Sequence, residues 1–87
     1  MILRNHGLMT IGGSVADAFI LHRRLQDACQ VQVMALAGGA EVIIPADDIC
    51  EHVAKQFEAS YARGESNELQ WDALLRMLDR TDQSYRN

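Results

Sequence analysis

Three histidines, two cysteines and a serine–aspartate pair carry most of the chemistry this chain could perform. His6 lies in Asn5-His6-Gly7, between two short apolar runs, Met1 to Arg4 and Leu8 to Ile11. Asn and Gly tolerate the positive φ angles of a tight turn, so His6 is expected at the tip of a strand–turn–strand unit. There its imidazole could ligate a metal, or serve only as a hydrogen-bonding turn residue. His52 follows Asp48 by four residues; this helical spacing suits a metal pair, but more commonly marks a solvated one. His22 borders an apolar stripe and reads as a core or interface histidine. Cys29 and Cys50 lack metal-type spacing and read as reduced core thiols. Ser14 and Asp17 have capping-box spacing. Gly12-Gly13 before them fits neither a P-loop nor a dinucleotide fingerprint and reads as a turn leading to a helix cap, although Ser14 and the following amides could offer an anion site.

Regular elements must position these groups. The hairpin is expected to end at Gly12-Gly13, and a long helix to run from Val15 to Ala37, stopped by Gly38-Gly39. Its inward stripe reads Ala18, Leu21, Leu25, Ala28, Cys29 and Leu36, with Arg23, Arg24, Gln26, Asp27 and Gln30 opposite. Gln32 falls inside the stripe, where a buried amide needs partners. Val31 to Ala37 is apolar nearly all round, which calls for burial on several sides. Glu41 to Ile44 is a β-prone run closed by Pro45. A second helix, with Asp47 and Asp48 in its first turn, should reach Arg63 and turn Cys50, Val53, Ala54, Phe57 and Tyr61 inward. Gly64 to Asn67 reads as a loop. A third helix, Glu68 to Arg80, should turn Leu74, Leu75 and Leu78 inward. Trp71 and Tyr61 read as packing aromatics, and residues 81–87 as a polar tail.

Composition narrows the function classes. The 87 residues are 48% hydrophobic and 23% charged, with a net charge of -4, the profile of one globular domain at most. Acidic balance without clustered Lys/Arg argues against nucleic acid and against an anionic membrane as partners. No apolar run reaches membrane-spanning length, and the N-terminus does not read as a signal peptide. A reducing cytoplasmic setting is expected. A two-stranded hairpin is marginal alone, and a helix of about 35 Å with an apolar end is poorly covered by two shorter helices. The expectation is a piece of a larger sheet-and-helix domain, or a chain that completes its core with a partner.

Leu3-Arg4-Asn5-His6-Gly7-Leu8-Met9-Thr10-Ile11-Gly12, followed by Ser14-Val15-Ala16-Asp17-Ala18-Phe19, resembles the strand, His-Gly turn, strand and capped helix of the class II aldolase/adducin family. Ala28-Cys29-Gln30-Val31-Gln32 and Ala35 to Gly39 resemble the rest of that family's long helix. Trp71 to Arg80, with Ser84-Tyr85-Arg86, resembles the C-terminal helix and tail of some bacterial members. The resemblance implies an α/β fold in which residues 1–87 are the C-terminal part of a three-layer α/β/α domain: a short β-hairpin, a long helix and two further helices, with upstream strands and helices missing.

The resemblance also implies a chemistry. The family includes zinc-dependent aldolases and epimerases of sugar phosphates, and the adducin head domain, which shares the fold without the catalysis. In the enzymes an upstream His-x-His pair and a later His hold zinc, a Lewis acid that stabilises the enediolate of C–C cleavage. His6 matches the later His and is the metal residue the resemblance implies. The chain has no His-x-His pair, no upstream acid/base residue and no phosphate loops. It is therefore expected to be inactive alone, as part of a parent lyase acting on a sugar phosphate or related carbonyl compound; the alternative is a non-catalytic adducin-type interaction module or small helical assembly subunit. Self-association, or union with a missing N-terminal part, is the expected partnership. Some family aldolases bring a catalytic tyrosine from the C-terminal region, but nothing assigns that role to Tyr85.

Overall fold

A computed structural model of the chain describes residues 1–63 and 67–86. Among these the architecture is mixed α/β: a two-stranded antiparallel sheet of β1 (Ile2–Leu3) and β2 (Gly7–Leu8), then α1 (Val15–Ala37), α2 (Asp47–Ala62) and α3 (Glu68–Thr81), and a short 3-10 turn, Ser84–Arg86. The described residues fall into two compact units, 1–23 with 67–86, and 24–63.

In the first unit the hairpin pairs Ile2 with Leu8 and Leu3 with Gly7. The Met9 amide extends the ladder by donating to the Met1 carbonyl at 2.9 Å. The turn demands left-handed backbone at Asn5 (φ 61°) and φ 122° at Gly7. Asn tolerates the first, and Gly the second, without the usual Cβ penalty. Beyond the turn, exposure alternates. Leu8, Thr10 and Gly12 are half-buried, while Gly7, Met9 and Ile11 are exposed.

Gly12 brings the chain against the start of α1. A Cβ there would land on the backbone nitrogen of Ala18 and 2.8 Å from Cβ of Asp17. Close backbone approach, rather than phosphate binding, explains this glycine. The helix then starts as its spacing indicates: the Asp17 amide donates to Ser14 Oγ at 3.1 Å, satisfying an orphan N–H of the first turn. The Ser14 hydroxyl donates in turn to Asp17 Oδ2 at 2.9 Å. The Ser14 hydroxyl is thus directed to the helix's own carboxylate.

Burial on α1 differs from the expected stripe. The buried apolar residues are Ala16 and Ile20, 7% and 4% exposed. One turn apart, they lie on the side that carries Arg23, Arg24 and Asp27 further along. The stripe itself is half-buried at Ala18, Leu21, Leu25 and Cys29 and exposed at Ala28 and Leu36. Amphipathic spacing marks faces that prefer cover; which face receives it depends on where the neighbours attach. Phe19 meets Trp71 of α3 edge to face, with centroids 5.4 Å apart. Asn67, only 8% exposed, donates from Nδ2 to Asp17 Oδ1 at 3.2 Å. Its carbonyl accepts from the Trp71 amide at 2.9 Å. The beginning of α3 is thereby tied to the cap of α1. Leu74 and Leu75 are half-buried, and Leu78 is more open.

The polar segment after α3 includes a short 3-10 turn, Ser84–Arg86. Asp82 ends the helix in extended backbone, and its Oδ1 accepts from the Ser84 amide at 2.8 Å. Tyr85 and Arg86 both return to the Asp79 carboxylate, and Arg86 Nε donates to the Tyr85 hydroxyl at 3.1 Å. Asp79 therefore closes the 3-10 turn onto the last turn of α3.

The second unit holds the rest of α1, the connection and α2. Gly39 takes φ 66° after Ala37, the left-handed stop that its glycine pair supplies. Glu41 to Ile44 forms no strand. It is exposed throughout, with Ile43 at 92%; β propensity needs a neighbouring strand to become a ladder. The start of α2 lacks a side-chain cap at Ala46 but carries Asp47 and Asp48 in its first turn, where negative charge complements the helix dipole. Of its expected inward residues, Cys50, Val53, Ala54 and Phe57 are exposed and only Tyr61 is half-buried. The Arg24 guanidinium lies over the Phe57 ring, 5.2 Å from its centre. Cys29 and Cys50 are both free thiols, half-buried and exposed respectively, so Cys50 is not a core thiol. Gln32 is exposed and needs no buried partner. Of the expected loop, residues 64–66 lie outside the described residues. No helix among the described residues is long and apolar enough to cross a membrane.

Candidate functional site

The hairpin places His6 at its tip, as its turn residues indicate. The His6 amide donates to the Leu3 carbonyl at 3.2 Å, closing the turn. The imidazole folds back, and Nδ1 lies 2.9 Å from the Arg4 carbonyl. A carbonyl can only accept, so this bond requires a proton on Nδ1. The neutral ring then presents its lone pair on Nε2. Metal-ligating histidines are commonly oriented this way, with the second ring nitrogen donating to a backbone carbonyl and fixing the tautomer. His6 is exposed, so the Nε2 edge is open to a ligand. At Gly7 the space around an added Cβ is empty. Glycine is needed there for its φ, not to avoid a neighbouring atom.

The other histidines do not join it. His22 is exposed, not a core residue, and its Nδ1 lies 3.5 Å from Thr10 Oγ1. His52 is exposed on α2. Among the described residues no three His, Cys, Asp or Glu side chains group closely enough to hold a metal ion. The described residues therefore do not complete a zinc site: His6 offers one nitrogen, and a catalytic zinc takes three protein ligands. A shallow depression on α1, lined by Gln26, Cys29, Gln30, Val33 and Met34, has no charged group and includes none of these histidines. Tyr85 is committed to Asp79 and Arg86. The neighbouring Tyr85 hydroxyl and the Asp79 carboxylate hold the Arg86 guanidinium above its usual pKa.

Two residues that hold this region together are not apparent from the sequence pattern. Thr10 Oγ1 donates to the Ala18 carbonyl of α1 at 3.0 Å. A signal existed for it: a threonine flanked by Met9 and Ile11 takes the inward position of an extended stretch while the apolar neighbours face out, Ile11 at 80% exposure. Asn67 stands in an expected loop, and nothing in its spacing announces its bond to Asp17.

The family model described as Class II Aldolase and Adducin N-terminal domain matches residues 1–33, the hairpin and the first half of α1. A Pseudomonas aeruginosa protein named for the class 2 aldolases is 48% identical over 90 residues, covering 99% of this chain and 34% of that protein. A Caulobacter vibrioides protein of similar name is 31% identical, covering 98% of the chain and 33% of its own length. Rat alpha-adducin is 37% identical over 101 residues, covering 99% of the chain and 14% of itself. The chain thus spans about a third of these bacterial relatives and a much smaller share of the adducin. No solved structure matches the chain. With the His-Gly hairpin, the Gly12 approach and the Ser14 cap all inside the matched segment, the chain belongs to the class II aldolase and adducin family.

Proposed function

We propose that these residues supply the C-terminal part of a three-layer α/β/α class II aldolase-type domain, and that His6 contributes one ligand to a zinc site completed by residues outside this chain. The parent activity is aldol cleavage of a sugar phosphate or related carbonyl compound, and the 87 residues are inactive alone. The observation that carries this reading is the His6 ring: the Arg4 carbonyl holds the proton on Nδ1 and leaves Nε2 as an open ligand at a hairpin tip. Two further facts support it. The similarity to the Pseudomonas protein extends over nearly the whole chain, and the apolar surface of α1 and α2 is exposed where the remainder of a domain would cover it. The contribution of this chain is to hold and orient that ligand. No further step follows from its residues.

The test replaces the matching segment of the Pseudomonas relative with these 87 residues and compares the chimera with its His6→Ala variant. Zinc content and retro-aldol cleavage are measured side by side. We expect both to fall together, cleavage by more than about 100-fold, beyond the 10–100-fold typical of losing only a supporting partner of a metal ligand, with folding preserved. Full zinc and full activity in His6→Ala would reduce His6 to an ordinary turn residue.

A second reading is a non-catalytic interaction module, favoured by the 37% identity to rat alpha-adducin across the same residues. The residues preceding this segment in its gene decide between the two. A His-x-His pair there supports the enzyme; its absence supports the module. In either case the exposed face of α1 is the surface we propose for self-association or for docking of the rest of the domain.

A further inference from the structure

We propose that the second half of α1 is a self-complementary seam that binds the same segment of a second copy, antiparallel. The proposal rests on the reading of the exposed α1 face as an association surface and commits that face to one occupant. Gln26, Gln30, Val33 and Ala37 follow one another at intervals of four, three and four residues, the spacing that keeps side chains on one stripe of a helix. All four are exposed, and none carries a charge, in a chain where 23% of residues do. The charges stand at the two ends. Arg23, also exposed, precedes Gln26 by three residues on the same helix. At the other end, α1 has no basic residue in its last turn, so nothing in that turn offsets the negative end of the helix dipole. Glu41 follows shortly after. A basic start, a neutral stripe and an acidic end match their own copy when the two helices run antiparallel. With Gln30 of one copy opposite Val33 of the other, Gln26 falls opposite Ala37. Arg23 then reaches past it to the carbonyl end of the other copy's α1 and to its Glu41, and twofold symmetry repeats the contact at the opposite end. A parallel pair would set Arg23 against Arg23 and one acidic end against the other. Gly38 and Gly39 have open space where a Cβ would stand, so an arginine can approach the last carbonyls. Val33 and Met34, 69% and 75% exposed, supply apolar area for the closed seam to remove from water. The amides of Gln26 and Gln30 each donate and accept, so the same amides on a second copy can satisfy them once water is excluded. A partner of arbitrary sequence has no reason to match both ends of this stripe; a second copy matches both by symmetry.

The test is sedimentation equilibrium of the 87-residue chain, of Arg23→Glu, of Glu41→Arg and of the double exchange, with circular dichroism reporting helix content. The original chain should dimerise, less tightly as salt rises. Each single exchange sets like charges together at both ends of the pair and should weaken the dimer by about tenfold or more. The double exchange restores attraction and should recover most of that loss, with helix content the same in all four proteins. Where a single exchange lowers helix content, Arg23→Gln and Glu41→Gln read the same contacts by removing the charge, and an unweakened dimer in both overturns the antiparallel register. So does a dimer indifferent to the single exchanges, or a double exchange no tighter than either of them; self-association on this face would then still stand. A monomeric original chain overturns the register together with the association reading on which it rests. No metal enters these measurements, so they are independent of the zinc-site reading tested in the chimera.

Discussion

The two units of the chain are built on opposite principles. In residues 1–23 with 67–86, a few polar groups do the joining: Ser14, Asp17 and Asn67 form one continuous set of hydrogen bonds, Thr10 ties the hairpin to α1, and Ala16 and Ile20 are the buried apolar residues. In residues 24–63 there is abundant apolar material but little cover. Val31, Val33 and Met34 are each at least 66% exposed, and Ile43 and Ile44 more so. The difference shows that hydrophobic content is a demand and not a structure. A short stretch with specific hydrogen bonds and one close backbone contact holds its geometry, while a richer apolar surface waits for a neighbour. The family model's match, residues 1–33, begins with the well-tied hairpin and cap and runs into the uncovered part of α1.

Substitutions can sharpen or break this contrast. The largest effect is expected at Gly12→Ala, where the new methyl meets the backbone of Ala18. Backbone must move to admit it, at a cost of about 1–3 kcal/mol as for overpacked sites generally. Hydrogen exchange at the start of α1 should accelerate accordingly, while α2 amides stay as they were. Equal acceleration in both units would show that they are not separately held.

Ser14→Ala comes next. Losing the cap should cost about 1 kcal/mol, again read as faster exchange in the first turn of α1, and Ser14→Asp should recover part of it. Val33→Asn, on the open face of α1, should change helix content by little, within about 0.5 kcal/mol as for other surface positions. Its expected effect is instead on association: sedimentation should show less self-association at a given concentration. A strong loss of helix in Val33→Asn would mean that this face is already packed in solution.

The smallest effect concerns the turn after α3. The Ser84 amide, donating to the Asp82 carboxylate, holds the Asp82 pKa below its ordinary value. A carboxylate depressed in the folded state stabilises the turn above its unfolded pKa, and that contribution is lost as pH falls through the lower folded value. The Ser84 amide resonance should therefore hold steady near neutral pH and shift only in acid, below the usual Asp range. A midpoint at or above the ordinary Asp value would show that the turn is not formed in solution.

Much of the local structure was legible from residue types. The span of α1 follows from Ser14 and Asp17 at one end and Gly38-Gly39 at the other, and the hairpin from Asn5 and Gly7, whose φ angles few other residues accept. Those signals act over three or four residues and need no tertiary partner. The positions that depend on partners were not legible. Glu41 to Ile44 has strand propensity but no strand beside it. The α2 stripe from Cys50 to Phe57 has helical spacing but little cover. Ala16 and Ile20 are buried on a side of α1 that becomes charged further along, and Asn67, in an expected loop, reaches Asp17 across fifty positions of chain. For the candidate site, the turn located His6, but its tautomer is set by the Arg4 carbonyl, and the anchor at Thr10 depends on a helix eight residues away.

The open run before α2 has a consequence of another kind. Val42, Ile43 and Ile44 are apolar, β-branched and exposed, the sort of segment that seeds cross-β stacking between chains. Glu41 stands on one side of the run and Pro45 on the other. A charge repels its copies in an in-register stack, and a proline cannot donate to the growing ladder. The same proline that leads into α2 thus also acts as an aggregation gatekeeper, confining any amyloid-type pairing to three residues. Pro45→Val would remove that limit, leaving α2 to begin with one fewer constraint and the chain with a longer sticky edge.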